Sequence, residues 1–304
     1  MASGSSQRGL TFWATSLPPL IWVAVFFLAP MAVIWGYSFG ENKSLTEISV
    51  SGTFANYAKG LTPLYIGILW KSVLVAALTT LLCLIIGFPV ALAIVFAAEK
   101  WRPWMLMAIM LPFWTNLLIR TYALMSVLGQ EGSANSSLKW LWEQASWLKT
   151  LVGFEPLTAF TPLPLLYNDM AVVMGLVYVH LPFMVLPLYA ALDRMDRSLI
   201  EASLDLGAGH MRTLFSIVAP LALPGIVSGV IITFVPALGS YLTPDLLGGS
   251  SSQMIANVIE RQFKKANDWP FGSALSFLLM YATFIALALR AYLARGQVAD
   301  KHGI

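Results

Sequence analysis

Long apolar runs are the feature of this sequence that most limits what it can fold into. A helix needs about 20 predominantly apolar residues to cross the hydrocarbon core of a bilayer. The apolar runs here are that long, and they are continuous rather than alternating, so they predict membrane helices and not the strands of a membrane barrel. The predicted spans cover residues 17–39, 66–98, 104–128, 170–192, 214–239 and 272–293.

The charge content supports this interpretation. Hydrophobic residues make up 58% of the chain and charged residues only 11%, whereas soluble domains carry about 25% charged residues. This supply of charge is too small to cover the surface of a water-soluble fold, and the apolar excess also excludes disordered, collagen-like and coiled-coil chains. The sequence therefore predicts an all-α, polytopic membrane protein with six transmembrane helices.

Several chemistries find no support in the sequence. The net charge is only +3 and the longest basic run is Lys264-Lys265, whereas nucleic-acid binding needs clustered basic residues. The single cysteine, Cys83, cannot form an intrachain disulfide. No glycine-rich phosphate loop, nucleophile elbow, carboxylate pair or set of metal ligands is found. We therefore expect no catalytic residue, no metal site and no cofactor bound by this chain.

The distribution of Lys and Arg predicts the orientation, because cytoplasmic loops of membrane proteins are richer in these residues. Six spans place both termini on one side. That side has short segments that contain Arg8, Lys100, Arg102, Arg194, Arg197, Arg212, Arg290, Arg295 and Lys301. The other side has longer loops that contain Lys43, Lys59, Lys139, Lys149, Arg261, Lys264 and Lys265. The bias predicts that both termini lie in the cytoplasm.

A polar segment between the fourth and fifth predicted spans, residues 193–213, is predicted to form two short helices. Ser198 and Glu201 have the spacing of a capping box, in which the Ser198 hydroxyl accepts a backbone N–H and Glu201 reaches back. Leu199, Ala202 and Leu206 fall on one helical face, and Gly207 and Gly209 are expected to end the helix. The pattern fits either a helix that docks into a partner's groove or a simple connecting helix.

The same segment resembles the EAA motif of ABC importer permeases, E-A-A-x3-G-x9-I-x-L-P. The motif positions are occupied by Glu201, Ala202, Ser203, Gly207, Ile217 and Pro220, and Asp205 lies inside the motif. Ser203 replaces the second alanine of the motif and Ala219 replaces its leucine. Both replacements are small, so the helix is expected to persist.

The resemblance implies a type I ABC importer permease on the bacterial inner membrane. In that family the loop, here 197–220, forms coupling helices that dock on an ATP-binding subunit. The implied partners are two ATPase subunits, which hold ATP and Mg²⁺, a second permease subunit and a periplasmic solute-binding protein. The implied division of the chain is an N-terminal part (1–65) with the first span, a transmembrane domain (66–293) and a cytoplasmic tail (294–304).

Two further stretches are similar to spermidine/putrescine permeases of the B type. The first is LPFWTN at 111–116 with IRTYA at 119–123, and the second is FVPALGSYLTPDLLGG at 234–249 with MIAN at 254–257. The resemblance implies polyamines as cargo. Permeases for iron(III), thiamine and phosphonates share parts of this fold, so these solutes remain the alternatives within the class.

A polyamine path needs carboxylates for the ammonium groups and aromatic faces for cation–π contacts. The candidates near the outer mouth are Trp114, Asn116, Tyr122, Tyr178, Tyr241 and Asp245. Each aromatic residue could equally belong to the interfacial belt where Trp and Tyr gather. Arg120 is expected to be a structural intramembrane charge that pairs with a carboxylate or with carbonyl groups, since a buried charge needs a partner and polyamines are themselves cationic.

Two other classes of protein compete with the importer. An ion-driven secondary transporter would need carboxylates within the spans, and the predicted spans contain almost none. A structural membrane protein would need no transport path, yet Pro182, Pro187 and Pro236 predict helix breaks of the kind that line a cavity or hinge.

Between the third and fourth spans, Trp140, Trp142 and Trp147 are spaced as in an amphipathic helix, which would lie on the membrane surface or pack on the bundle.

Overall fold

We describe the fold from a computed structural model of the chain. It describes residues 4–43, 47–151, 159–250 and 252–301, without the side chains of residues 4–12, 14, 149–150, 286–287 and 289–301. Five cations of the predicted charge bias have side chains outside this set: Arg8, Lys149, Arg290, Arg295 and Lys301. His302 also lies outside the described residues.

The described residues are predominantly helical. In chain order the elements are α1 (Gly4–Val23), α2 (Ala29–Tyr37), β1 (Gly40–Asn42), β2 (Ile48–Val50), α3 (Ala55–Gly60), α4 (Pro63–Phe96), α5 (Arg102–Met110), α6 (Leu117–Leu128), α7 (Ser133–Leu151), α8 (Asp169–Asp193), α9 (Ser198–Asp205), α10 (His210–Thr213), α11 (Ala219–Leu221), α12 (Leu223–Leu238), α13 (Leu242–Leu247), α14 (Ile255–Lys264) and α15 (Trp269–Lys301). π-helical segments occupy Ala24–Leu28 and Leu214–Val218, and a 3₁₀ turn occupies Leu111–Trp114.

Three straight helical segments have the length and hydropathy of membrane spans: Thr15–Tyr37, Pro63–Phe96 and Asp169–Asp193. They match the first, second and fourth predicted spans. The second is a single helix of 34 residues, about 51 Å long at 1.5 Å per residue, so it extends well beyond the hydrocarbon core. The sixth predicted span lies within α15, a helix of 33 residues, whose segment Trp269–Ile285 is apolar.

The third and fifth predicted spans are bent pairs of helices rather than single straight ones. Arg102–Trp114 and Leu117–Leu148 meet at 95°, and His210–Leu221 and Leu223–Leu238 meet at 68°. At the first bend, Thr115 and Asn116 adopt extended backbone, which interrupts the helical hydrogen bonds. The second bend lies between Pro220 and Pro224, neither of which can donate a backbone N–H.

The expectation that Pro182 and Pro187 break their span was wrong. Both lie inside α8, which is continuous over 25 residues, and Pro236 likewise lies inside α12. Each proline removes one helical hydrogen bond, but a membrane helix tolerates this loss when neighbouring groups satisfy or cover the freed backbone. The actual bends therefore lie elsewhere, at 115–116 and near 222.

The chain folds into two compact units, residues 1–66 with 258–304, and residues 67–257. In the first unit β1 and β2 form an antiparallel pair with Glu41 opposite Ser49. Lys59 forms an ion pair with Asp268 at 3.6 Å and lies 3.8 Å from the centroid of the Phe271 ring. None of the most apolar window of Thr15–Tyr37 is buried, as expected for a helix that faces lipid.

The core of the second unit is formed by the C-terminal half of α4, by α8 and by the start of the bent fifth span. Its buried members include Cys83, Ile94, Val95, Met184, Leu188, Leu192, Val218 and Ala222. Ile200 of α9 and Leu214, the first residue after α10, pack against this core. The segment with the sequence motif is therefore attached to the ends of the spans that form the core.

Helix α7 confirms a helical conformation for the tryptophan-containing stretch. Trp140 and Trp147 are 59% and 61% exposed, while the Trp142 ring lies 6.3 Å from that of Phe160. The buried Asn135 side chain donates to the carbonyls of Gly129 and Leu163 and accepts the Leu163 N–H. One face of α7 therefore packs on the unit, and an aromatic face remains exposed. Residues 152–158, between α7 and Phe160, lie outside the described residues.

Candidate functional site

The start of α9 differs from the predicted capping box. Asp196, not Ser198, caps the helix: its Oδ1 accepts the Ser198 backbone N–H at 3.0 Å, and Leu199 N–H bonds to the Asp196 carbonyl at 3.3 Å. The first of these bonds, together with one to the Ser198 side chain, holds the pKa of Asp196 below its ordinary value. The prediction was wrong because the first turn begins two residues earlier than the S-x-x-E pattern indicates. An Asp before a helix was a visible signal.

The end of α9 is a glycine stop at Gly207. Its φ is +81°, a region that favours glycine. Ala208 N–H bonds to the Ser203 carbonyl at 3.1 Å and Gly207 N–H to the Leu204 carbonyl at 2.9 Å, which is the Schellman pattern. Gly209 has a different role from the one predicted: it is extended and lies directly before α10.

The outer face of α9 is apolar and exposed. Leu199 is 44% and Leu206 88% exposed, and Ala202 between them is also exposed. Glu201 and Asp205 are exposed beside this face. In the following helix and π-segment, Met211 and Phe215 are each 69% exposed. Exposed apolar side chains therefore occur on both helical parts of this loop, a property that a docking surface requires.

The inner face of α9 is held to α10 by a buried hydrogen bond. Ser203 is 8% and Thr213 is 3% exposed, and their hydroxyl oxygens are 2.9 Å apart. The serine that departs from the motif's alanine therefore has a specific contact, which alanine could not make. Thr213 carried no sequence signal, since the bond joins residues ten positions apart across the glycine stop.

The last two motif residues lie at the start of the bent fifth span. Ile217 is half-buried in the π-helical segment Leu214–Val218, and Pro220 is exposed in α11. Pro220 precedes the bend by two residues. The motif therefore extends from the exposed helix α9 to the place where the fifth span changes direction.

Arg120 lies at the bend of the third span and is only 7% exposed. Its Nη2 donates to the carbonyl of Pro112 and, at 3.0 Å, to that of Thr115. Its guanidinium lies 5.6 Å from the Phe113 ring and 5.8 Å from the Tyr178 ring. Carbonyl groups at the break thus account for this buried charge, and carbonyls are one of the two kinds of partner considered from sequence.

The six candidate path residues have unequal surroundings. Asn116 caps α6, because its Oδ1 accepts the Leu118 N–H at 2.8 Å, so this oxygen is already occupied. Trp114 is 81%, Tyr122 53% and Tyr178 43% exposed. Tyr178 contacts the Arg120 guanidinium, which places α8 next to the break in the third span.

Tyr241 and Asp245 lie one helical turn apart at the start of α13. Tyr241 is 41% exposed, and Asp245 is exposed. The buried Asn257, in the MIAN segment, stabilises this turn. Its side chain donates to the Tyr241 carbonyl at 2.7 Å and accepts the Met254 N–H at 3.1 Å. Segments 241–245 and 254–257, which were joined from sequence only by similarity, are thus in direct contact.

His180 has a structural contact inside α8. It is 4% exposed, and its Nδ1 lies 2.8 Å from the Leu176 carbonyl. Within the described residues, no three side chains among His, Cys, Asp and Glu are placed to share a metal ion.

Comparison with known proteins identifies the family of the chain. The family model of the "binding-protein-dependent transport system inner membrane component" matches residues 8–297. The chain is 39% identical over 258 residues to the spermidine/putrescine transport system permease protein PotB of Salmonella typhimurium, covering 85% of each chain. It is 36% identical over 280 residues to PotB of Escherichia coli K12, covering 92% of this chain and 96% of the relative.

A more distant relative is the inner membrane ABC transporter permease protein YdcU of Escherichia coli K12, 30% identical over 293 residues. That match covers 93% of this chain and 90% of the relative. Among solved structures, a bacterial ABC transporter that imports the acidic polysaccharide alginate matches with a TM-score of 0.69 and 14% identity, covering 95% and 96% of the two chains. A second structure of the alginate transporter, with a pentasaccharide-bound periplasmic protein, matches with a TM-score of 0.70 and 15% identity, covering 95% of each chain. These likenesses show the fold, and the fold class predicted from the sequence is confirmed.

Proposed function

Because this chain belongs to the family of binding-protein-dependent transport system inner membrane components, we propose that it is the permease subunit of an ABC importer for polyamines. The observation that supports polyamines as the cargo is the 36–39% identity to spermidine/putrescine permeases over 85–92% of the chain. The alignment spans nearly the whole membrane region, so it includes the helices that would form the path. The competing cargoes are phosphonate, thiamine and iron complexes.

The partners follow from the same proposal. Two ATPase subunits supply ATP hydrolysis with bound Mg²⁺, because this chain has no phosphate-binding loop. A second permease subunit completes the path, and a periplasmic solute-binding protein delivers the cargo. The related alginate transporter has been solved in complex with a periplasmic protein, which supports the last of these partners.

The coupling loop is the proposed contact with the ATPase. The exposed face formed by Leu199, Ala202 and Leu206 would enter a groove of that subunit, with Glu201 and Asp205 at its border. The Schellman stop at Gly207 and the Ser203–Thr213 bond hold α9 and α10 in one arrangement. ATP binding and subunit closure would then bias the bundle between its two states through this loop.

The cargo chemistry favours an aromatic and acidic path. Exposed Trp and Tyr rings suit cation–π contacts with protonated amines, and Asp245 could pair with a terminal ammonium group. We assign this role to Trp114, Tyr122, Tyr178, Tyr241 and Asp245, with a lesser role for Asn116, whose amide oxygen already caps α6. Arg120 would stabilise the bend and would not contact the cationic cargo.

The proposal is tested by reconstitution of the complete importer in vesicles with ATP inside. Spermidine and putrescine uptake should depend on ATP, on the binding protein and on both permease subunits, and unlabelled polyamine should compete while thiamine, phosphonate and iron complexes should not. If one of those solutes is carried and polyamines are ignored, the cargo is wrong but the importer stands.

Two measurements distinguish the other classes of protein, one in the same vesicles and one in cells. Uptake that persists without ATPase subunits and follows an imposed proton or sodium gradient would replace the importer by a secondary transporter. A structural protein would be indicated if a strain without the gene took up polyamines as well as the parent strain does.

A further inference from the structure

The C-terminal end of α4 has an unusual set of hydrogen-bond partners. The last carbonyls of any helix lack partners within the helix and must be satisfied from elsewhere. The Ile94 carbonyl accepts the Ala97 N–H at 3.3 Å. The Val95 carbonyl accepts two guanidinium groups, from Arg102 and from Arg197, each at 2.8 Å. One oxygen therefore joins side chains that are 95 residues apart in sequence.

Arg102 connects this carbonyl to the end of α8. Its Nε donates to the Ala97 carbonyl at 3.3 Å, and its Nη1 forms an ion pair with Asp193, the last residue of α8, at 3.3 Å. The C-terminal ends of α4 and α8 are thus linked through one side chain. The ion pair supplies one carboxylate for two cations, so the negative end of the α4 dipole contributes to balancing their charge.

Arg197 connects the same carbonyl to the coupling helix. Its backbone carbonyl accepts the N–H groups of Ile200 and Glu201 at 3.0 and 3.2 Å, so its backbone belongs to the first turn of α9. Its guanidinium lies 5.6 Å from the Phe96 ring while Nη2 bonds to Val95. A single residue therefore has its backbone in the coupling helix and its charged end on α4.

We propose that Arg197 is a positioning residue that transmits displacement of the coupling helix to the end of α4, with Arg102 extending the link to α8. This inference rests on the proposed function, because the displacement comes from the ATPase. The inner face of α9 has two other attachments, Ile200 in the core and the Ser203–Thr213 bond to α10. The Arg197 bond differs from both, because it leads from the first turn of α9 directly to α4, the long span whose C-terminal half lies in the core.

The chemistry explains why arginine suits this position. A guanidinium can stack on the Phe96 ring while it donates to a carbonyl, whereas the ammonium of lysine acts as a point charge. From sequence, Arg197 and Arg102 contributed only to the orientation signal. The structure assigns them a second, mechanical role.

The test uses the complete importer in lipid nanodiscs, with the cognate ATPase and binding protein, and compares Arg197→Gln with Arg194→Gln. Arg194 is an exposed arginine three residues away, so its replacement removes the same charge from the same segment. We expect Arg197→Gln to keep its ATPase subunits and basal hydrolysis but to lose about tenfold in the stimulation of hydrolysis by loaded binding protein, within the usual range of coupling between sites. Arg194→Gln should retain that stimulation.

Two results would overturn the inference: stimulation in Arg197→Gln within twofold of the unaltered complex, or loss of the ATPase subunits, which would make Arg197 part of the docking surface. Arg197→Lys keeps the charge and can still donate to the Val95 carbonyl, so it should fold and show a loss of about threefold, smaller than that of Gln. If the Gln variant is not recovered, the Lys variant is compared with the unaltered complex, and full stimulation rejects the role. An unaltered chain that binds no ATPase would instead reject the proposed function.

Discussion

Arg120 illustrates at the scale of one residue how a buried charge is accommodated at a helix break. At the 95° bend the Pro112 carbonyl accepts the Thr115 N–H at 3.3 Å and the Thr115 hydroxyl at 2.7 Å. The Thr115 carbonyl accepts from Arg120, and a buried unpaired carbonyl is costly. The Arg120 guanidinium donates to both. The break therefore supplies acceptors for the charge, and the charge satisfies the Thr115 carbonyl.

Replacement of Arg120 by Met should destabilise the protein. Methionine can fill most of the space but donates no hydrogen bond. The Thr115 carbonyl would lose its Arg120 donor, and an unsatisfied buried carbonyl costs about 1–3 kcal/mol. The thermal unfolding temperature of the purified chain in detergent should fall. Arg212→Met, at an exposed position, is the control, and equal losses in the two variants would contradict the assigned role.

The glycines after α9 provide a matched pair of substitutions. A Cβ at Gly207 or at Gly209 would meet no atom within 4 Å, but only Gly207 has a positive φ. Gly207→Ala should cost about 1–2 kcal/mol because of the left-handed backbone, and Gly209→Ala should be within about 0.5 kcal/mol of neutral. Denaturation of the two purified variants measures the difference, and equal stability would show that the Gly207 backbone relaxes freely.

The Asp196 cap predicts that α9 becomes less stable in acid. Its pKa is lowered in the folded state by the Ser198 bonds, so its stabilisation is present above the ordinary Asp pKa of about 3.9. That stabilisation is lost as the pH falls through the lower, folded pKa. Hydrogen exchange of residues 196–206, corrected for intrinsic rates, should therefore accelerate in acid. Asp196→Asn should weaken this acid response and exchange faster at neutral pH, and an unchanged acid response would contradict the cap.

At the scale of elements, α8 and α12 pack closely through small residues. Gly225 and Gly229 are four positions apart on α12, the spacing that lets membrane helices approach. A Cβ at Gly225 would lie 2.5 Å from the Ala191 Cβ and 2.7 Å from the Pro187 carbonyl. A Cβ at Gly229 would lie 2.7 Å from the Met184 sulfur. Helix α12 therefore contacts α8 at the two positions where α12 has glycine.

Gly225→Ala should therefore push α8 and α12 apart and cost about 1–3 kcal/mol, the usual penalty of overpacking. Gly67→Ala is the control, because a Cβ there meets nothing within 4 Å and alanine favours a helix. Thermal unfolding in detergent should show a decrease for the first variant and none for the second. A Gly225 variant as stable as the Gly67 variant would mean that the helices can separate without cost.

At the scale of the whole molecule, the proposed orientation can be tested with the chain's own cysteine content. Cys83 is the only cysteine and is fully buried, so it should not react with a membrane-impermeant maleimide. Glu41→Cys, on the proposed periplasmic side, should be labelled in intact cells. Glu99→Cys, between α4 and α5, should be labelled only after the membrane is opened. The reverse pattern would place both termini outside.

The amino-acid sequence alone determined the membrane environment, the approximate positions of the spans and the two short helices that follow the fourth span, whose role in coupling stays a prediction. These depend on local properties: hydropathy over about 20 residues and motif spacing within a single segment. The Schellman stop at Gly207 was predictable for the same reason. The division into 1–65, 66–293 and 294–304 stays a prediction, as do the roles of the path residues.

The tertiary structure decided the features that depend on distant residues. It replaced two straight spans by bent pairs, found carbonyl partners for Arg120, joined Ser203 to Thr213, and brought Arg102 and Arg197 to one carbonyl of α4. The reason is physical: a helix end or a break leaves backbone groups unsatisfied, and which side chain reaches them depends on the packing of helices that are far apart along the chain.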